Sequence, residues 1–200
     1  MSRLIAFGCS YTYGHGLEDC VDEFMMPGPT ASKLAWPQLL ADKLNLECIN
    51  EGVPGASNKH IWYKIINYNF EPNDLVFILW STNERHCIFH NDYTVEQIGA
   101  WVESKPSKMY YKHLFTRVDQ TIDSNLRIEH CTYHLINKGI KHYNMLFKKE
   151  TINNPINATI LHTDFRTIKH NMPRAIDKLH PGKEAHVKFV QEIYGEINET

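Results

Sequence analysis

No stretch of this 200-residue sequence comes near the roughly 20 consecutive apolar residues of a membrane-spanning helix. The apolar opening, Leu4 to Phe7, stops at Gly8, well short of the roughly 7–15 residues of a secretion signal. Neither a leader nor a membrane span is therefore expected. Excess charge of either sign is missing too. Lys and Arg total 21 against 23 Asp and Glu, a formal net charge of -2, and the basic residues are scattered. That pattern supplies neither the field nor the stripe that gathers phosphate backbones, so nucleic acid is not an expected partner. Cysteine pairs are absent. Cys9, Cys20, Cys48, Cys87 and Cys131 make an odd count with no Cys-x-x-Cys, as expected for reduced thiols in the cytoplasm. With no repeats and no low-complexity linker, residues 1–200 are expected to form one domain. No feature of the sequence specifies an oligomeric state.

What the sequence does contain is an ordinary globular balance, 42% hydrophobic and 22% charged, arranged as alternating strand and helix patterns. Leu4–Phe7 and Asp74–Trp80 are unbroken apolar runs, as expected for parallel strands buried on both faces. Leu46–Ile49 and Asn157–Thr163 are further strand candidates. Helices are expected from Trp36 to Leu44, with Pro37 in the first turn, from a Ser57 or Asn58 cap to about Tyr68, and from Lys183 to about Ile197. Between about residues 94 and 150 the pattern reads as helical, with one amphipathic stretch near Thr94–Glu103 and a longer one near Ile122–Phe147. The expected fold is a three-layer α/β/α doubly wound parallel sheet of four to five strands, with a helical insertion after the third strand. In such sheets ligands bind beyond the carboxyl ends of the strands. Chemistry is thus expected in Gly8–Gly14, Asn50–Asn58, Ser81–His90 and Asp164–His180.

Those loops hold the parts that acyl transfer needs: a hydroxyl nucleophile, a base, a group orienting the base, and donors for the oxyanion. Ser10 follows the first strand where a helix or turn begins, so it offers both Oγ and a backbone N–H. Gly55 sits in a tight loop whose N–H can face a substrate, and Asn83 brings a side-chain amide just past the third strand. Asp177 and His180 are three residues apart, close enough for one turn to join carboxylate and imidazole.

At these residues the sequence resembles the SGNH (GDSL-like) hydrolase superfamily, and the resemblance runs from end to end. Gly8-Cys9-Ser10 is similar to the family's Gly-Asp-Ser block, and Asn50 with Gly55 to its second block, Gly52 being the other glycine in that loop. Trp36-Pro37 matches the Trp-Pro pair between those blocks, Asn83 the third block, and Asp177-Lys178-Leu179-His180-Pro181 the closing Asp-x-x-His-Pro. The resemblance implies the flavodoxin-like fold of that family and a Ser10–His180–Asp177 triad. Ser10, Gly55 and Asn83 would form the oxyanion hole. It further implies hydrolysis of a carboxylic ester, such as a short acyl group on a sugar or lipid, with no metal or organic cofactor. Stand-alone chains of this kind occur in bacteria and phages. Three features depart from the family pattern: Cys9 stands for aspartate, Ser81-Thr82-Asn83-Glu84 replaces a Gly-x-Asn-Asp type block, and the region 94–150 reads as helix.

Other readings of the same residues exist. Cys9 is a second nucleophile candidate, and His162 with Asp164 a second His/Asp source. His86 and His90, and His130 and His134, are spaced i, i+4 like zinc ligands on a helix, but no His-Glu-x-x-His or cysteine partner accompanies them. The aromatic stretch from Trp101 to Phe115 suits either core packing or the lining of a sugar site. Arg85 and His86 are expected at the pocket mouth. The same triad also serves an acyltransferase, and the same fold a catalytically silent binding module.

Overall fold

A computed structural model describes residues 2–148 and 158–199. Its centre is a five-stranded sheet of β1 (Arg3–Phe7), β2 (Glu47–Asn50), β3 (Leu75–Trp80), β6 (Lys141–Leu146) and β7 (Ile160–Asp164), in the order β2-β1-β3-β6-β7. All neighbours are parallel. The unbroken apolar runs account for the two inner strands: Leu4 to Phe7 and Val76 to Trp80 are wholly buried. Such strands need cover on both faces. One face packs against α2 (Trp36–Leu44), α6 (Phe165–Lys169) and α7 (Lys183–Glu199), the other against α3 (Asn58–Ile66) and α5 (Arg117–Asn137).

The chain leaves β1 toward β2 on one side and returns to β3 on the other. The strand order therefore reverses between β1 and β3, where parallel sheets open their binding crevice. The loops after β1 and β3 meet there. A Cβ on Gly8 would lie 3.0 Å from the Leu79 carbonyl oxygen.

Two expected helices are corrected. Thr94–Glu103 is not helical; Val95–Ile98 is β5, paired antiparallel with β4 (His86–Phe89). The turn between them is set by Asp92, whose Oδ1 accepts from Thr94 N (3.1 Å) and Thr94 Oγ1 (2.7 Å), with Tyr93 at φ 64°. The stretch Ile122–Phe147 is helical only as far as Asn137, because Gly139 at φ 68° ends α5 and Lys141–Leu146 becomes the strand β6. The helical insertion expected over 94–150 is thus a β-hairpin followed by α4 (Lys105–His113), and α5 is the crossover leading into the sheet. Residues 149 and 150 of that stretch, and Asn157 at the start of the expected fourth strand, lie outside the described residues.

Candidate active site

Ser10 is the first residue of the short helix α1 (Ser10–Tyr13), directly beyond β1, and only 4% exposed. The Cys9 carbonyl accepts from Thr12 N (2.9 Å) and Tyr13 N (3.0 Å), so the N–H groups of Ser10 and Tyr11 are left at the open end of the turn. Cys9 is 1% exposed and belongs to the core, which withdraws it as a nucleophile candidate. Asn50, at the end of β2, fixes α1 from the side: its Nδ2 donates to Thr12 O (2.7 Å) and its Oδ1 accepts from Gly52 N (3.0 Å).

Asp177 and His180 come together. Nδ1 of His180 lies 2.5 Å from Oδ2 of Asp177. The other carboxylate oxygen accepts the backbone N–H groups of Leu179 (2.9 Å) and His180 (3.0 Å). Burial works against the charge on Asp177, but those hydrogen bonds outweigh it and hold the carboxyl below its usual range. A carboxylate ionised and pinned in this way fixes the imidazole tautomer, leaving Nε2 as the basic nitrogen. Burial pushes His180 below its ordinary value; Asp177 opposes this, and the charges of His15 and Arg85 add to it.

The loop carrying this pair packs on the end of α1. Gly16 O accepts from Ile176 N (3.0 Å), and a Cβ on Gly16 would sit 2.7 Å from the Asp177 carboxylate, so only glycine permits the approach. The His15 ring lies tilted against His180 with centroids 4.4 Å apart, and the Tyr11 ring meets it edge-on at 5.6 Å. His180 thus packs against the helix that Ser10 begins and the turn that follows it, although no hydrogen bond joins Ser10 Oγ to the imidazole among the described residues. Catalytic contacts are often long in unliganded sites.

The expected oxyanion residues line the neighbouring loops. Gly55 has φ 79°, a left-handed turn that favours glycine, and it lies beneath Gln97 of the β4–β5 hairpin. Gly52 is buried against α1, where a Cβ would be 2.6 Å from Tyr13 N. Asn83 donates from Nδ2 to Thr121 Oγ1 (3.2 Å) and accepts at Oδ1 from Asn58 (3.4 Å).

Asn58 is the residue that sequence reasoning took only for a cap, and Ser57 is the cap, its hydroxyl accepting from His60 N (3.3 Å). Asn58, 2% exposed, instead clamps the end of β3 in both directions. Its Oδ1 accepts from Ser81 N (2.7 Å), and its Nδ2 donates to Ser81 O (3.1 Å) and Ser124 Oγ (3.0 Å). His15 was also missed; its only signal was its place between two glycines after Ser10.

The rival residues serve elsewhere. Asp164 caps α6 by accepting from Thr167 N (2.7 Å), and His162 is exposed on β7. His86 and His90 belong to a strand and the turn after it, not to a helix, with His86 stacked on Tyr110 at 4.8 Å. His130 Nδ1 accepts from Trp62 Nε1 (2.7 Å). Among the described residues, the His, Cys and acidic side chains close enough to share a cation are His15, Asp177 and His180, the cluster that also orients the imidazole. The aromatic stretch packs on the loop after β3: Tyr111 donates its hydroxyl to Glu84 O, and the Arg85 guanidinium lies 4.7 Å over the Trp101 ring.

No family model matches the chain, and no curated protein does. Solved structures do. A lipolytic protein of the G-D-S-L family from Desulfitobacterium hafniense superposes with a TM-score of 0.58 at 13% identity, over 96% of this chain and 98% of that one. An acetyl xylan esterase from the rumen bacterium Butyrivibrio proteoclasticus matches at 0.58 and 11%, over 99% of this chain. A family two carbohydrate esterase from Clostridium thermocellum matches at 0.55 and 12%, over 98% of this chain. The chain spans only 63% and 64% of the latter two. Its fold is SGNH hydrolase-like: a five-stranded parallel sheet between helices, as the sequence led one to expect. No helix among the described residues is long and apolar enough to cross a membrane.

Proposed function

We propose that the chain is a serine esterase that cleaves a carboxylic ester through an acyl-serine intermediate at Ser10. The observation that carries this is the Asp177–His180 pair, 2.5 Å apart, with the carboxylate pinned by two backbone N–H groups and the imidazole packed on the helix that Ser10 begins. Its place at the reversal of strand order and the esterases among the structural neighbours support the same reading. The carbohydrate esterases among those neighbours favour an acylated sugar as substrate. The five unpaired cysteines favour a reducing compartment, the cytoplasm, as the place of action.

In the first half-reaction Ser10 Oγ attacks the ester carbonyl as His180 Nε2 takes the hydroxyl proton. Asp177 stabilises the imidazolium that forms. The oxyanion is met by the N–H groups of Ser10 and Gly55 and by the Asn83 amide, which Asn58 and Thr121 hold in place. Collapse breaks the bond to the alcohol, which leaves with the proton from His180. Water then repeats the sequence on the acyl-serine, releasing the carboxylic acid and restoring Ser10.

A short-chain chromogenic ester tests the assignment. Ser10→Ala and His180→Ala should each lower kcat/KM by about 10³-fold or more, and a fluorophosphonate should label Ser10 stoichiometrically. Undiminished turnover in both variants would falsify the triad. An unlabelled Ser10 would instead favour a binding module on the same fold.

A further inference from the structure

Cations collect on one side of the proposed site without acidic partners. Lys169, at the end of α6, donates to Tyr11 Oη at 2.7 Å and lies over the Tyr11 and Phe147 rings at 4.9 and 5.2 Å. Tyr11 in turn stands edge-on to His180. Arg85 approaches from the loop after β3, held by stacking on Trp101, and its Nη1 is buried with no hydrogen-bond partner. Arg174 donates to Leu179 O (2.9 Å) in the loop that carries His180. Among the described residues none of the three forms an ion pair.

Half-burying a cation without a counter-charge is costly, and a guanidinium N–H sealed from water with nothing to donate to is costlier still. Arg174 is solvent-exposed, so that cost falls on Arg85 and Lys169, both half-buried. Burial and the charges of Arg174, Arg166 and Arg85 all push Lys169 below its ordinary value, which a bound anion would reverse. Burial keeps the Tyr11 phenol protonated, its value pushed up to about 12, so while accepting from Lys169 it still has a proton to donate. Asp177, whose charge is felt at Tyr11, is already committed to His180 and two backbone N–H groups.

We infer that Arg85, Lys169 and the Tyr11 hydroxyl form an anion-binding wall, so that the ester cleaved at Ser10 carries a carboxylate or phosphate on its acyl or alcohol part. This rests on the esterase reading and narrows its substrate class. Charge-assisted hydrogen bonds to such a group should favour an anionic ester over its neutral counterpart by about 10- to 100-fold.

Matched pairs test it: mono-p-nitrophenyl glutarate against its methyl ester, 4-acetoxybenzoate against its methyl ester, and 4-acetoxyphenyl phosphate against its dimethyl ester. The quantity read is the ratio of kcat/KM within a pair, in wild type, Arg85→Gln and Lys169→Gln. At least one ratio should favour the anion about tenfold or more, shrink in both variants, and shrink in wild type at about 1 M salt, where the Debye length is about 3 Å. The pair that responds distinguishes carboxylate from phosphate and acyl from alcohol. Ratios near one in every pair, or ratios unmoved by both substitutions, would overturn the inference. Should no ester be cleaved in a Ser10-dependent way, the esterase reading fails separately. The wall is then judged by thermal unfolding with glutarate or inorganic phosphate. An increase that both substitutions abolish sustains the wall, and no increase removes it.

Discussion

His186 ought to make this protein acid-sensitive, and the structure sets the size of the effect. Helix α2 begins at Trp36 after Ala35, which has no side chain to cap it, and Pro37 has no N–H to satisfy. The donor left over, Trp36 N, is accepted by Nδ1 of His186 across the molecule at 3.1 Å. That contact needs a neutral imidazole with its proton on Nε2. His186 is 1% exposed, and burial lowers it to about 3. The unfolded chain takes up the proton at the ordinary value of about 6.5, whereas the folded chain refuses it until about pH 3. Stability from this group is therefore whole above about 6.5 and drains away as pH falls from there toward 3. At about pH 5 the loss is 1.5 units at 1.36 kcal/mol each, or about 2 kcal/mol, and about 4–8 °C in Tm for a chain of this size. Urea unfolding of wild type and His186→Gln, compared at about pH 7 and about pH 5, isolates it from titrating carboxylates common to both. Wild type should lose about 2 kcal/mol more than the variant over that interval. Parallel losses would show that the buried imidazole does not govern acid stability.

Two further outcomes follow from the candidate site. His180 works as a base only when neutral, so activity rises as pH climbs through its value, which burial, His15 and Arg85 lower and Asp177 raises. The acid limb of kcat/KM should lie below about pH 6.5, and His15→Gln, which removes one of the electrostatic neighbours that lower His180, should move its midpoint upward; a limb that stays put or falls refutes the coupling. A methyl at Gly16 would occupy the space of the Asp177 carboxylate, at a backbone φ of 93°. Gly16→Ala should lower kcat/KM by about 100-fold, because small displacements of a catalytic group carry that cost. Gly195→Ala, in open space on α7, serves as the comparison and should leave activity intact.

Much of this was legible in the residue order because buried parallel strands announce themselves. Leu75–Trp80 and Leu4–Phe7 have no polar interruption, and the loops carrying Ser10 and Asn83 follow these two runs. The strand β6 was hidden for the opposite reason. His142 and Asn144 break its apolar character, and Asn144 is tolerated at full burial only because Trp80 Nε1 donates to it (2.9 Å) while its amide donates to Thr132 Oγ1 (3.2 Å). That satisfaction is a tertiary fact with no local signature, although Gly139 was a readable stop. The hairpin over 86–98 was masked by apolar positions that fit a helical period as well as an alternating one. In the site, Asp177 and His180 could be paired from spacing alone. Asn58, His15 and the Lys169–Tyr11 contact could not, since each depends on which loops the sheet order brings together.

Ser10 hangs from the sheet's middle strands, while the base assigned to it waits near the far end of the sequence, in the loop that closes over Gly16. A chain emerging from the ribosome exposes its nucleophile early and its base late. If the triad is as proposed, a nascent chain ending before Asp177 has made its serine and all five strands, yet has neither α7 to cover one face of the sheet nor a base to draw off the serine's proton. Its chemistry would wait on the loop that carries His180, which is made only after all five strands of the sheet.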